Sequence, residues 1–259
     1  ELPIAFVKDG EWKVGDILIQ KDLAATLRRI AENGAQEFYE GKTAELIVEE
    51  MQRGNGIITM EDLKNYEPVI RKPRDFNYRG HRIIAMGLPS SGGVMLEQML
   101  QMLGPYDLEE MDYHSVEAIN HVVEVERRAY ADRTDYIGDP VFVDVPVEQL
   151  LDHDYIRGRM ADFIPGLRGR STEVEPGLQL QESEQTTHLS ILDAEGNAVS
   201  VTTTLNTEYG SKVVAGGAGF FLNNEMDDFS AKPGVPNIYG LMGTEANAIE
   251  AGKRMVSSM

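Results

Sequence analysis

Apolar residues recur at three- and four-residue intervals over roughly the first 165 positions and at every second position after that, which predicts a mainly helical part followed by strands. Between 20 and 33, Leu23, Leu27 and Ile30 fall on one helical face, and Gly34 supplies a stop. A second helix is predicted over 42–52, with Ala44, Ile47, Val48 and Met51 on its apolar side and Gly54-Asn55-Gly56 ending it. Thr59, with an acid three residues later at Asp62, has the pattern of a helix-capping box. Residues 75–86 alternate like strands, and Pro89-Ser90-Ser91-Gly92-Gly93 breaks the chain before helices predicted over 94–103 and 115–132. Residues 157–170, rich in Gly and Arg, read as a surface connection into a charged segment that ends at Glu184.

Beyond Thr186 the spacing predicts a strand over 188–193, a turn over 194–197 and a second strand over 198–205. The run Ala198-Val199-Ser200-Val201-Thr202-Thr203-Thr204 is β-branched on both faces, which suits a strand covered on both sides. Residues 213–222 read as a third strand bent by Gly216, Gly217 and Gly219. Residues 223–257 are mostly irregular, with a stiff loop at Pro233-Gly234-Val235-Pro236-Asn237.

Composition narrows the function. Hydrophobic residues make up 42% of the 259, enough for a substantial core. With 24 Lys and Arg against 43 Asp and Glu, the net charge of −19 repels phosphate backbones, so nucleic acid is not an expected partner. No run reaches the ~18 apolar residues of a membrane span. The absence of Cys removes disulfides and thiolate metal sites, and the five histidines show no i, i+4 pair, so neither a metal nor another cofactor is expected. The first residues lack the basic stretch and apolar core of a signal peptide, and the pattern opens and stops between elements. An internal piece of a longer protein is the expectation.

The most informative stretch is Gln185-Thr186-Thr187-His188. Adjacent threonines at a strand onset are explained by strand preference alone. They also allow a sharper reading, in which the Gln185–Thr186 bond is cut and Thr186 becomes an N-terminal nucleophile. Its hydroxyl is almost never ionised, but a free α-amine on the same residue, with an ordinary pKa near ~8, can serve as its base. Thr204, at the end of the second hairpin arm, would return beside it as a supporting hydroxyl. The cluster Asn223-Asn224-Glu225-Met226-Asp227-Asp228 reads as a solvated turn, as a calcium loop (its spacing lacks the usual pattern) or as acceptors for an ammonium group. Ser257 and Ser258, close after Lys253 and Arg254, offer donors for a carboxylate, so the two sites together suit a zwitterion. Weaker signals are set aside. Gly216-Gly217-Ala218-Gly219 lacks dinucleotide spacing, Ser90-Ser91 read as a helix cap, His188 as structural, and Asp132, Asp135, Asp139 and Asp144 as a solvated helix end and loop.

Several motifs in order resemble the γ-glutamyltranspeptidase (γ-glutamyltransferase) family over essentially the whole chain. They are Thr186-Thr187-His188, Thr204-Leu205-Asn206-Thr207, the 222–229 acidic stretch, Lys232 to Asn237 and Ser257-Ser258-Met259. Tyr78-Arg79-Gly80, Pro89 to Gly93 and Ala129 to Arg133 agree. The resemblance implies an α+β fold of stacked αββα layers of the N-terminal nucleophile hydrolase type, incomplete at both ends. It implies a precursor cut between Gln185 and Thr186, with 1–185 the end of a large subunit and 186–259 the start of a small one. Thr186 would be the nucleophile and Thr204 its support. Asn206, Glu225 and Asp228 would hold the substrate's α-amino end, Ser257 and Ser258 its α-carboxylate, and Tyr239 would gate a lid over 233–243. The position of Glu225 carries Glu or Gln in such proteins. Glutathione and other γ-glutamyl compounds would be donors, amino acids or peptides acceptors, and the compartment periplasmic or extracellular. The family's long N-terminal segment with its carboxylate-binding arginine, and the Gly-Gly of its oxyanion hole, have no counterpart here, so the piece alone is expected to be inactive. Alternatives are a glutaryl-cephalosporin acylase, a poly-γ-glutamate depolymerase or an uncleaved, inactive precursor.

Overall fold

Helices and antiparallel hairpins account for the regular structure in the computed structural model, which describes residues 4–167, 169–170, 174, 187–230, 232, 235–236 and 243–257. The α+β class expected from the sequence holds for these residues. The chain divides into two units, one of residues 1–69 and 185–224 and the other of 70–184 and 225–259.

The first unit begins with helices α1 (Lys21–Asn33), α2 (Ala35–Tyr39), α3 (Lys42–Gly54) and α4 (Met60–Lys64). The predicted face of α3 is the one buried: Ala44 and Ile47 point inward, and Asn55 ends the helix in the left-handed region at φ 54°. Ile47 packs with Ala215 and Ala218, flanked by Phe38, Leu46, Leu63, Phe220 and Leu222. The face of α1 is shifted from the predicted one. Leu27 is 57% exposed, while Thr26 is buried and its hydroxyl donates to the Ala218 carbonyl at 2.9 Å. The surface α1 meets is backbone, which a short hydroxyl can satisfy and a leucine cannot. The Thr59 box is formed: its hydroxyl accepts from the Asp62 amide at 3.2 Å, and the Asp62 carboxylate accepts from the Thr59 amide at 2.8 Å.

Strands β3 (Thr187–Leu192) and β4 (Ala198–Thr203) pair as the predicted hairpin, from Leu192 opposite Ala198 to Thr187 opposite Thr203. Asp193 shapes its turn by accepting from the amides of Glu195 and Asn197 at 3.1 and 2.7 Å. The expectation that the second arm is covered on both sides is not met among the described residues: Val199 is 51% exposed and Val201 40%. β-branching reports strand preference, not what covers the strand. The predicted third strand over 213–222 is instead a reversal. Val214 bridges Phe221, and the Ala215 carbonyl accepts from the amides of Ala218 and Gly219, both at 3.0 Å. Its glycines turn the chain rather than bend a strand. Gly219, at φ 80°, lies so near α1 that a Cβ would sit 2.4 Å from the Leu23 nitrogen.

The second unit contains the hairpin β1 (Arg74–Tyr78) and β2 (His81–Ala85), then helices α5 (Gly92–Leu103), α6 (Val116–Tyr136), α7 (Val147–Leu150) and α8 (His153–Arg159). Val94, Met95, Met102, Val125, Ala129, Ile137, Leu150, Ile156 and Val256 form its core. Burying each of the larger of these contributes about 1.5–3 kcal/mol. Ser115 starts α6 by accepting from the Ala118 amide at 3.1 Å, and the helix runs a turn past its predicted end at 132. Helix α8 occupies the start of the stretch read as a surface connection. Its cap was visible: Asp152 accepts from the amides of Asp154 and Tyr155 at 2.9 and 3.1 Å.

Two acids read as solvated are buried. Asp132, 1% exposed, accepts from the Gln98 side chain at 2.7 Å and lies 3.2 Å from the Arg159 guanidinium. Asp139, also 1% exposed, accepts from Arg71 at 3.1 Å and from the Arg254 amide at 3.0 Å, tying the segment around Arg254 to the helical core. Spacing alone could not reveal partners 68 and 115 residues away.

Candidate active site

In the first unit, Thr204 follows directly on the last β3–β4 pair. Its hydroxyl accepts from the Asn206 amide at 3.0 Å, closing a turn over the next two residues. Asn206 is buried and left-handed at φ 75°, a conformation its short polar side chain tolerates. Its Nδ2 donates to the Asn224 carbonyl at 3.2 Å, while the Asn224 side-chain oxygen accepts from the Thr207 amide at 3.2 Å. The corner at 204–207 is thereby fastened to 224.

In the second unit, residues Glu225–Asp228 make one tight helical turn. Burial, then the neighbouring Asp228 charge and a hydrogen bond to it, push the Glu225 carboxyl up to about 7. Burial also raises Asp228, with the Arg133 guanidinium opposing that shift and Asp227 adding to it. A half-buried carboxyl pair that holds a proton near neutrality can release it to solvent when a cation binds beside it.

Asn247 joins this turn to the segment that carries Val256 and Ser257. Its Nδ2 donates to the Asp228 carbonyl at 2.7 Å, its Oδ1 accepts from the Val256 amide at 3.1 Å, and its backbone carbonyl accepts from the Ser230 amide at 2.9 Å. Ser257, next along, pairs in parallel with Ser90. The Ser257 amide donates to the Pro89 carbonyl at 3.3 Å, and its carbonyl accepts from the Ser91 amide at 2.7 Å and from the Ser91 hydroxyl at 2.9 Å. Arg133 Nε in turn donates to that hydroxyl at 2.9 Å. Ser91 occupies the cap position of α5 yet makes no cap bond, while Ser90 accepts from the Gly92 amide at 3.3 Å, so the expected serine cap comes from Ser90. The acidic turn and the Ser257 strand are thus held within one unit through Asn247, Ser91 and Arg133, none of which the sequence reading singled out as site residues.

Gln185, Thr186, Tyr239 and Ser258 lie outside the described residues. His188 lies within hydrogen-bond distance of the hydroxyls of Thr202 (2.8 Å), Ser190 (3.1 Å) and Ser200 (3.2 Å), which share its face of the hairpin. Among the described residues, no three His, Asp or Glu side chains converge to hold a metal ion, and no helix is long and apolar enough to cross a membrane.

A family model described as gamma-glutamyltranspeptidase matches residues 3–259. The glutathione hydrolase proenzyme of Escherichia coli K12 is 49% identical over 257 residues, which are 98% of this chain and 44% of that protein. The crystal structure of Helicobacter pylori gamma-glutamyltranspeptidase is similar at 41% identity and a TM-score of 0.62, covering 70% of this chain and 53% of that one. A cephalosporin acylase from Bacillus halodurans is similar at 26% identity and a TM-score of 0.76, over 95% of this chain and 42% of that one. The chain spans less than half the length of the curated relative it matches. With motifs, fold elements and these likenesses agreeing along nearly its full length, the chain belongs to the γ-glutamyltranspeptidase family.

Proposed function

We propose that the protein to which this chain belongs is a self-processing enzyme that transfers and hydrolyses γ-glutamyl groups of glutathione and related amides. The observation that carries this reading is the carboxyl pair of Glu225 and Asp228 tied through Asn247 to the Ser257 strand. An ammonium-binding end and a carboxylate-binding end are thereby joined on one support, as a γ-glutamyl group requires. Asn206, Glu225 and Asp228 take the α-amine; Ser257 and Ser258 take the α-carboxylate; Tyr239 gates the site.

In this reading the Thr186 hydroxyl attacks the Gln185 carbonyl, the Gln185–Thr186 amide breaks, and water releases the resulting ester to leave a free α-amine on Thr186. That amine then takes the hydroxyl proton as Thr186 attacks the γ-carbonyl of a donor. The amine product leaves, and a γ-glutamyl ester remains on the threonine. Water or an amino acid or peptide acceptor resolves the ester. Thr204 supports the nucleophile, and Thr186 and Thr204 are the sequence neighbours of the terminal ladder pair Thr187 and Thr203. Residues 1–185 and 186–259 become parts of a large and a small subunit that share αββα layers, and the enzyme acts in the periplasm or outside the cell. The likeness to a cephalosporin acylase over 95% of the chain supports the layered fold.

Thr186→Ala in the full-length protein tests the reading. The expected product is a single uncut chain that does not turn over a γ-glutamyl anilide; two subunits and undiminished turnover would overturn it. The same acylase likeness favours a second reading, hydrolysis of a glutaryl amide. A glutaryl group has no ammonium for Glu225 and Asp228, so a preference for γ-glutamyl over glutaryl anilide separates the two.

A further inference from the structure

Ser91 stands where a helix is capped and does not cap it. A serine there normally accepts from an amide in the first turn, an interaction worth about 1 kcal/mol. The Ser91 hydroxyl makes no such bond to α5 and donates instead to the Ser257 carbonyl at 2.9 Å. Arg133, from α6, donates to the same hydroxyl oxygen at 2.9 Å. A hydroxyl has one proton, so an oxygen that accepts from a guanidinium has its proton free to turn toward Ser257. Both side chains are buried, Ser91 at 1% exposure and Arg133 at 8%. A buried guanidinium and a diverted cap hydroxyl thus act together on one backbone carbonyl, that of Ser257.

We propose that Ser91 and Arg133 are positioning residues for the carboxylate-binding end of the substrate site. Arg133 orients the Ser91 hydroxyl, which fixes the Ser257 backbone and so sets where the Ser257 hydroxyl stands to receive an α-carboxylate. The inference rests on the reading of Ser257 and Ser258 given above. Neither Ser91 nor Arg133 is assigned contact with substrate. The same guanidinium favours the ionised form of Asp228, so one buried cation serves both ends of the zwitterion.

The test uses the full-length protein and two amides: the γ-glutamyl anilide, and the 4-aminobutyryl anilide, which is the same substrate without its α-carboxylate. Ser91→Ala is expected to raise KM for the first about fivefold to tenfold, the loss of one buried hydrogen bond. It should leave kcat within about twofold, as lost uniform binding does. KM for the 4-aminobutyryl amide should not move. Arg133→Lys keeps the charge but loses the Nε donor and should show the same selectivity with a smaller change; it decides the matter by the same ratio if Ser91→Ala yields no soluble protein. Equal losses on both amides, or a wild-type KM on the first, would overturn the inference in favour of a purely structural role. Ser257→Ala distinguishes the two levels. A raised KM confined to the γ-glutamyl amide upholds the site reading whatever Ser91 does; an unchanged KM removes that reading and this inference with it.

Discussion

The corner around Thr204 and the segment that carries Asp228 and Ser257 both present small polar side chains, yet they are held differently. Thr204 bonds to an amide two residues on, and Asn206 bonds to Asn224, 18 residues away. The other segment depends on distant parts of the chain: Ser91 reaches Ser257 across 166 residues, and Asp139 reaches Arg254 across 115. A locally closed corner keeps its shape while its own turn persists. A segment fastened from α5 and α6 keeps its shape only while those helices are packed. Changes in the helical core should therefore reach the second segment without touching it, and should leave the first alone.

Asn247→Leu should break the second segment most severely. Leucine keeps the branching at Cγ and the number of heavy atoms, but it leaves the Asp228 carbonyl and the Val256 amide without their partner. Each buried group left unpaired costs about 1–3 kcal/mol, so a loss of about 3 kcal/mol is expected in urea unfolding of the full-length protein. KM for a γ-glutamyl substrate should rise as well, since both ends of the proposed site move. A loss under about 1 kcal/mol would show that Asn247 is not the joint the geometry makes it.

Thr204→Val gives the contrasting case. It removes one acceptor, that of the Asn206 amide, while the Asn206–Asn224 and Asn224–Thr207 bonds remain. The expected stability loss is only about 1 kcal/mol. The proposed chemistry should suffer out of proportion, with slow appearance of two subunits and poor turnover of a γ-glutamyl anilide. If Thr204→Val and Asn247→Leu destabilise equally, the distinction between a local corner and a remotely fastened segment fails. If processing and turnover are untouched, Thr204 loses its supporting role.

The same division explains what the sequence disclosed. The α3 face, the Thr59 cap and the β3–β4 hairpin were legible because each rests on neighbours within a few turns or across one tight turn. Thr26 in place of Leu27, the buried Asp132 and Asp139, and the diverted Ser91 were not. Each answers to a partner far along the chain, and an apolar pattern says which face is greasy, not which polar group finds a buried partner. The 213–222 reversal was misread for a related reason: glycines mark a departure from a regular strand without saying whether the chain bends or turns back. In the candidate site, Thr204, the acidic cluster with Glu225 and Asp228, and Ser257 stand out by position and residue type and Asn206 by motif likeness, whereas the supports Asn247, Ser91 and Arg133 needed the structure.

Glu225→Gln is the mildest change and separates charge from shape. In the free protein the Glu225 carboxyl titrates at about 7, raised by burial and by Asp228. An ammonium group favours the ionised form, so wild-type KM should fall about tenfold between pH 6 and pH 8 if the protonated form does not bind. Glutamine does not titrate, and its amide can donate to Asp228 as the protonated acid does, so its KM should be nearly flat over that range. Stability carries the opposite sense. Because the folded pKa lies above the free value, the contribution of Glu225 is complete below the ordinary carboxylate range and is lost as pH rises through about 7. Glu225→Gln should therefore raise Tm at pH 8 and leave it nearly unchanged at pH 4. A Tm lowered at pH 8, with the wild-type slope of KM retained, would mean that the pair does not hold its proton at Glu225 and that the acidic turn meets its ligand through Asp228 alone.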